Sequence, residues 1–223
     1  MSGLLNFKTL TDPRAIGSIL AESILHELNQ NKKVLFLVPG GSSISVACEA
    51  AKIIAQHPHN NLTVTLTDER YGKPNHKDSN WLQLSEQGFS LPQAKIYHIL
   101  TGDDPASTTR KFNEFLEVKL TEADYKIGLF GVGKDGHTAG ILPETDAVNY
   151  SDKAFTYKTE TFERITISPK VIEILDEAVV YMKGSDKWPI IKNLEKDIDP
   201  YINPVQFLKK VPLLTIFSDY QKI

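Results

Sequence analysis

Three short segments of this chain combine residue types that can do chemistry. In Gly131-Val132-Gly133-Lys134-Asp135-Gly136-His137-Thr138, an imidazole stands two positions after a carboxylate on a glycine-rich loop. A histidine in that setting is placed to move protons near neutral pH. Gly40-Gly41-Ser42-Ser43 lies between an apolar run and a helical pattern. Its glycines let backbone approach a ligand, and the helix start aims free N–H groups at an anion, with phosphate the natural occupant. Asp68-Glu69-Arg70 puts three charges at the end of an apolar strand. There the guanidinium suits phosphate or carboxylate recognition. Arg70 and one carboxylate are expected to face a ligand; Asp68 is counted with the binding residues, but the pattern leaves open which of Asp68, Glu69 and Arg70 turns to the cleft.

Neighbouring patterns exclude other chemistries. The Gly40 segment lacks the Gly-Lys-Ser/Thr of a nucleotide loop, and Ile44 stands where a serine-hydrolase elbow needs its last glycine. Gly131-Val132-Gly133-Lys134-Asp135-Gly136 has the spacing of a dinucleotide fingerprint, but Pro143 cuts off any helix within two turns. Among the other histidines, His57 and His59 flank a proline in a polar loop and read as solvated. His26 and His98 lack an acidic, glycine-rich setting, and His76 lies in a long polar stretch where it could face a cleft. No histidine pair has metal-ligand spacing with a cysteine or carboxylate companion, so no metal is expected, and no cofactor either.

The elements that must position these segments alternate between strand and helix. Ala15 to Leu28 carries Ile16, Ile19, Leu20, Ile24 and Leu28 at helical spacing behind Thr11-Asp12-Pro13. Val34 to Val38 is a continuous apolar run, as in a strand buried on both faces. A helix follows over Ser43 to Gln56, then a strand over Leu62 to Leu66. Tyr71 to Asn80 is a polar stretch too long for an ordinary connection, hence a candidate functional loop. Further strands are expected at Lys95 to Ile99, Tyr125 to Phe130, Arg164 to Ile167, Ala178 to Met182 and Leu213 to Phe217. Helices are expected at Pro105 to Leu120, near Pro169 to Leu175, and over Asp186 to Leu194. The pattern implies an α/β fold in three layers, a mostly parallel twisted sheet with helices on both faces. No Pro/Gly-rich linker divides the chain, so 1–223 reads as a single domain. Ligands of such sheets bind outside the carboxyl ends of the strands, where all three chemical segments lie, so they should meet at one cleft.

Composition fits this. The chain has 223 residues, 41% hydrophobic and 24% charged, and a net charge of -3, which gives no electrostatic reason to expect nucleic acid. No apolar run approaches a membrane span, and the first thirty residues do not read as a secretory signal. The single cysteine, Cys48, can form neither an internal disulfide nor a cysteine-rich metal site. A cytoplasmic setting is expected.

The combination of Gly40-Gly41-Ser42-Ser43, Asp68-Glu69-Arg70, His76 to Asn80, Gly131 to Ala139 with Pro143, Arg164 to Ser168, Gly184 to Lys187 and Leu214 to Asp219 resembles the 6-phosphogluconolactonase family. That family belongs to a wider group that includes glucosamine-6-phosphate deaminase. The resemblance implies a Rossmann-like fold of the sugar-phosphate isomerase type. It also implies hydrolysis of 6-phospho-D-glucono-1,5-lactone to 6-phosphogluconate, a step of the oxidative pentose phosphate pathway. By it His137 is the general base that activates water, and Asp135 orients it or sits near the sugar hydroxyls. Gly40 to Ser43 with Lys187 would hold the phosphate, Arg70 would meet phosphate or the developing oxyanion, and Asn80 and Arg164 would line the cleft. The partner expected is a small sugar-phosphate lactone, with no nucleic acid and no membrane, and the chain is expected as a monomer or weak homodimer.

The resemblance has departures. Ser43-Ile44 replaces the threonine-proline of many relatives, Pro204 to Pro212 lacks their glycine-rich turn, and Trp81 stands where they often have another aromatic. The deaminase branch carries a glutamate five positions after the histidine and a tyrosine at the place of Arg70. Here those positions hold Leu142 and Arg70, which favours the lactonase over the deaminase. A non-catalytic sugar-phosphate sensor is a third reading, disfavoured because His137 is kept and no helix-turn-helix segment is present.

Overall fold

A computed structural model describes residues 4–221. In chain order its elements are β1 (Leu4–Thr9), α1 (Pro13–Asn29), β2 (Val34–Val38), α2 (Ile44–Ile54), β3 (Leu62–Leu66) and β4 (Asp68–Arg70). Then follow α3 (Asn80–Glu86), β5 (Lys95–Ile96), α4 (Pro105–Glu122), β6 (Tyr125–Gly131), β7 (Ala154–Lys158) and β8 (Glu163–Ile167). The chain closes with α5 (Pro169–Glu173), β9 (Glu177–Met182), α6 (Trp188–Leu194) and β10 (Leu213–Ser218).

Seven strands form a parallel sheet in the order β1-β10-β9-β6-β2-β3-β5. The central strand β2 is apolar throughout, as befits a strand with helices on both faces, and Val34 to Val38 are all buried. The helices start where the chain supplies caps. The Asp12 carboxylate accepts from the Arg14 N–H at 3.1 Å ahead of Pro13, and Asp104 accepts from the Ser107 N–H at 3.0 Å ahead of Pro105. The inward face of α1 buries Ile16, Leu20 and Ile24.

The strand order reverses between β2 and β6. From β2 the chain moves outward through β3 to β5, and from β6 it moves the other way through β9 to β10. Their carboxyl ends therefore diverge into a crevice, the usual ligand position of such sheets.

The second sheet is where structure and sequence expectation differ. Arg164 to Ile167, expected among the parallel strands, belongs instead to a separate three-stranded antiparallel sheet, β4-β8-β7. Asp68-Glu69-Arg70 is a strand in its own right and pairs with β8, placing Arg70 opposite Arg164. Backbone bonds join the two sheets at Thr67, whose N–H reaches Val38 O at 2.8 Å while its carbonyl accepts from Ile167 N at 3.0 Å. On its other side the small sheet is tied to α4, where Asn113 Oδ1 accepts from the N–H groups of Lys153 and Ala154 at 2.8 and 3.2 Å. The strands β1 and β7 and the helix α3 had no expected counterpart. Among the described residues no helix is long and apolar enough to cross a membrane.

Candidate active site

An open cleft of about 670 Å³, counted out to its solvent mouth, lies at the divergence of β2 and β6. Gly40, Gly41 and Ser42 after β2, Asp68 and Arg70 on β4, and Gly133 and His137 after β6 line it, together with Asn80, Arg164 and Lys187. The structure thus brings nine of the eleven expected site residues to the cleft wall, and Asp135 stands directly behind His137. Ser43 is the exception. Its side chain is fully buried and turns away to Phe130 O, because it packs behind Gly131, where a Cβ would meet its Oγ at 3.0 Å.

The loop after β6 is a tight reversal. Gly133 N–H donates to His137 O at 2.9 Å, Gly136 N–H to Gly133 O at 3.0 Å, and the Thr138 hydroxyl to Gly131 O at 3.0 Å. Within it His137 Nδ1 and Asp135 Oδ1 are 2.6 Å apart, and the same oxygen accepts from the His137 N–H at 3.2 Å. The bond to the imidazole, with its charge, pulls the Asp135 carboxyl down to about 2 against some desolvation. A carboxylate that stays ionised fixes Nδ1 as the protonated nitrogen. No described residue bonds Nε2. Gly133 makes this geometry possible, since a Cβ there would lie 2.2 Å from His137 Nδ1 and 2.5 Å from Asp135 Oδ1. Ala139, just beyond, holds a left-handed backbone at φ 49°, unusual for a residue with a Cβ; its carbonyl accepts from the Thr166 hydroxyl of β8.

Alternation along β4 sorts the three charges. Asp68 and Arg70 face the cleft, whereas Glu69 turns the other way. Buried Glu69 accepts from Ser79 Oγ at 2.8 Å and from the N–H groups of Asn80, Trp81 and Arg70 at 2.7, 3.1 and 2.7 Å. Burial pushes its carboxyl up, while these four donors pull it back. Its role is to seat the first turn of α3, which brings Asn80 against Gly40 and sends the Asn80 amide to Asp68 O at 2.9 Å.

Asp68 Oδ2 accepts from Arg164 Nη1 at 3.2 Å, a pair with both side chains largely buried. Arg70 Nη1 donates to Asp78 O at 3.0 Å. Of the polar stretch Tyr71 to Asn80, Asn80 lines the cleft, whereas residues 71–79 do not. His76 Nε2 lies 2.9 Å from Arg70 O, and its Nδ1 accepts from the Asp78 N–H at 3.3 Å, an arrangement that ties the stretch around Arg70. Lys187 reaches the opposite wall from the short 3₁₀ turn before α6, where its backbone N–H donates to Gly184 O at 3.0 Å. Three cations against the Asp68 carboxylate leave the cleft positive, so it suits an anionic ligand.

Sequence reasoning missed Thr67 and Gly140 in the lining. A second glycine soon after Gly136 was the available sign for Gly140, while Thr67 carried none. Among the described residues no group of three or more His, Cys, Asp or Glu side chains gathers where a metal could sit.

Fold and site together define a mostly parallel α/β protein with a cation-lined cleft at its topological switch point and a carboxylate–imidazole pair on the rim. The glucosamine-6-phosphate isomerase/6-phosphogluconolactonase family matches residues 13–215, and the chain belongs to that family. A 6-phosphogluconolactonase of Nostoc sp. is 27% identical over 218 residues, covering 91% of this chain and 90% of that protein. The crystal structure of a 6-phosphogluconolactonase from Shewanella baltica superposes with a TM-score of 0.81 at 20% identity, covering 98% of this chain and 99% of that one. A monomeric glucosamine-6-phosphate deaminase superposes with a TM-score of 0.76 at 18% identity, over 96% of each chain. The fold is therefore shared by both activities.

Proposed function

We propose that this protein is a 6-phosphogluconolactonase, hydrolysing 6-phospho-D-glucono-1,5-lactone to 6-phosphogluconate in the oxidative pentose phosphate pathway. The observation that carries the reading is the Asp135–His137 pair at the edge of a cation-lined cleft. Asp135 holds the Nδ1 proton, so Nε2 is the basic nitrogen. It takes a proton from water as the water oxygen attacks the lactone carbonyl carbon. Positive charge in the cleft, with Arg70 foremost, answers the developing oxyanion. Collapse of the tetrahedral intermediate breaks the bond from the carbonyl carbon to the ring oxygen, which leaves as a hydroxyl after receiving the proton from His137. The backbone of Gly40 to Ser42 and the Lys187 ammonium hold the 6-phosphate, and Asp68, Asn80 and Arg164 shape the wall around the sugar.

The deaminase reading needs a carboxylate following the histidine. At the corresponding position stands Leu142, whose N–H bonds the Tyr157 hydroxyl at 3.3 Å. Glu144 does not line the cleft. The two sheets build one cleft between them, which supports reading 1–223 as one catalytic domain.

The test is a coupled assay in which the lactone is generated enzymatically and 6-phosphogluconate formation is followed against the spontaneous rate. Acceleration is expected. Its absence, with turnover of glucosamine 6-phosphate in the same preparation, would hand the site to the deaminase.

A further inference from the structure

Arg70 and Arg164 stand directly opposite each other on neighbouring antiparallel strands. Like charges in that position repel, and both Nε atoms are buried without a hydrogen-bond partner. Asp68 answers Arg164 and the Asp78 carbonyl answers Arg70, each through a single Nη1. One further group touches both guanidiniums, and it is the Phe162 ring. Arg70 Cζ lies 4.7 Å from its centroid and Arg164 Cζ lies 5.7 Å from it.

We infer that Phe162 is a positioning residue that holds the two guanidiniums side by side at the cleft wall. The ring presents a negative π face to cations that have given up water, the setting in which a cation–π contact counts most. Its own position is fixed at the end of the β7–β8 hairpin. Phe162 N–H donates to Thr159 Oγ1 at 3.0 Å, and Phe162 O accepts from the Thr159 N–H and hydroxyl, both at 2.8 Å. It stands two positions ahead of Arg164, one residue before β8 begins. Phe162 does not line the cleft; it acts through the arginines. The consequence for binding a sugar phosphate rests on the proposed function, whereas the holding of the guanidiniums does not.

Two measurements on Phe162→Leu and Phe162→Tyr separate these. In the ligand-free protein, the arginine Nε–H resonances of Arg70 and Arg164 should be displaced by the ring current. They should return toward ordinary values in Phe162→Leu and stay displaced in Phe162→Tyr. Titration calorimetry with 6-phosphogluconate should then show roughly tenfold weaker binding for the leucine variant, the scale of one or two lost cation–π contacts, with affinity kept by tyrosine. Unmoved resonances in Phe162→Leu would overturn the inference, as would equal weakening in both variants, which is the mark of general packing damage. If the unaltered protein fails to accelerate lactone hydrolysis in the coupled assay, the proposed function fails, and the resonances still decide the role of Phe162.

Discussion

The two sheets serve the cleft by different means. The parallel sheet contributes what lies beyond its strands, namely backbone N–H groups after β2 and a folded-back loop after β6 that carries the Asp135–His137 pair. The antiparallel sheet contributes side chains that stand on the strands themselves, with Asp68 and Arg70 on β4 and Arg164 on β8. A loop can place a group with close tolerance only where backbone approaches backbone, so that half depends on missing side chains. A strand face places charges at fixed spacing, so the other half depends on present ones.

The contrast breaks most sharply at His137. Replacement by alanine should lower kcat by roughly 10²–10⁴ while substrate binding persists; an unchanged kcat would remove it as the base. Next comes Gly133→Ala, an addition of one methyl. Displacing the Asp135–His137 pair by about an ångström should cost about 10² in rate, read as a kcat defect in a protein that melts normally. The same kind of addition on the outer face of the small sheet should cost nothing comparable. Arg164→Gln tests the other half. Losing a charge-assisted contact of about 1.5–3 kcal/mol predicts a roughly 10- to 150-fold fall in kcat/KM. Because it also leaves the buried Asp68 carboxylate unpaired, the melting temperature should drop as well. Cys48→Ser is the smallest. Cys48 is buried in α2, away from the cleft, so the change should cost about 1 kcal/mol of stability and leave kcat untouched, and a rate defect would reopen a role for the thiol.

The same contrast explains what could be read from the sequence. Glycines beside strand ends are visible in a linear string, and the loops around Gly40 and Gly131 were found, with helices and central strands displaced by only a few residues. The small sheet was not found because β4 is three residues long and wholly charged, against every apolar pattern that marks a strand. Once its strand character is known, alternation alone decides that Asp68 and Arg70 turn together and Glu69 turns away. Ser43 was misplaced for a related reason. Its hydroxyl looked available beside Ser42, but the 3₁₀ turn over Gly41–Ser43 rotates it inward. Phe162 gave no signal, since a lone aromatic between Thr161 and Glu163 has no periodicity to place it.

The strand pairing of β4 with β8 has a kinetic side. Asp68 and Arg164 are 96 positions apart, so their ladder closes only after two separate excursions of the chain have returned to the parallel sheet. Contacts of that sequence separation are costly to form early. During refolding, the β2–β3 pair, which joins Val34 to Leu62, should form before the cleft recovers affinity for its ligand, since both the β4–β8 ladder and the β1–β10 pairing of Leu4 with Leu213 span far more of the chain, and a chain caught between those moments would be partly folded and still inert.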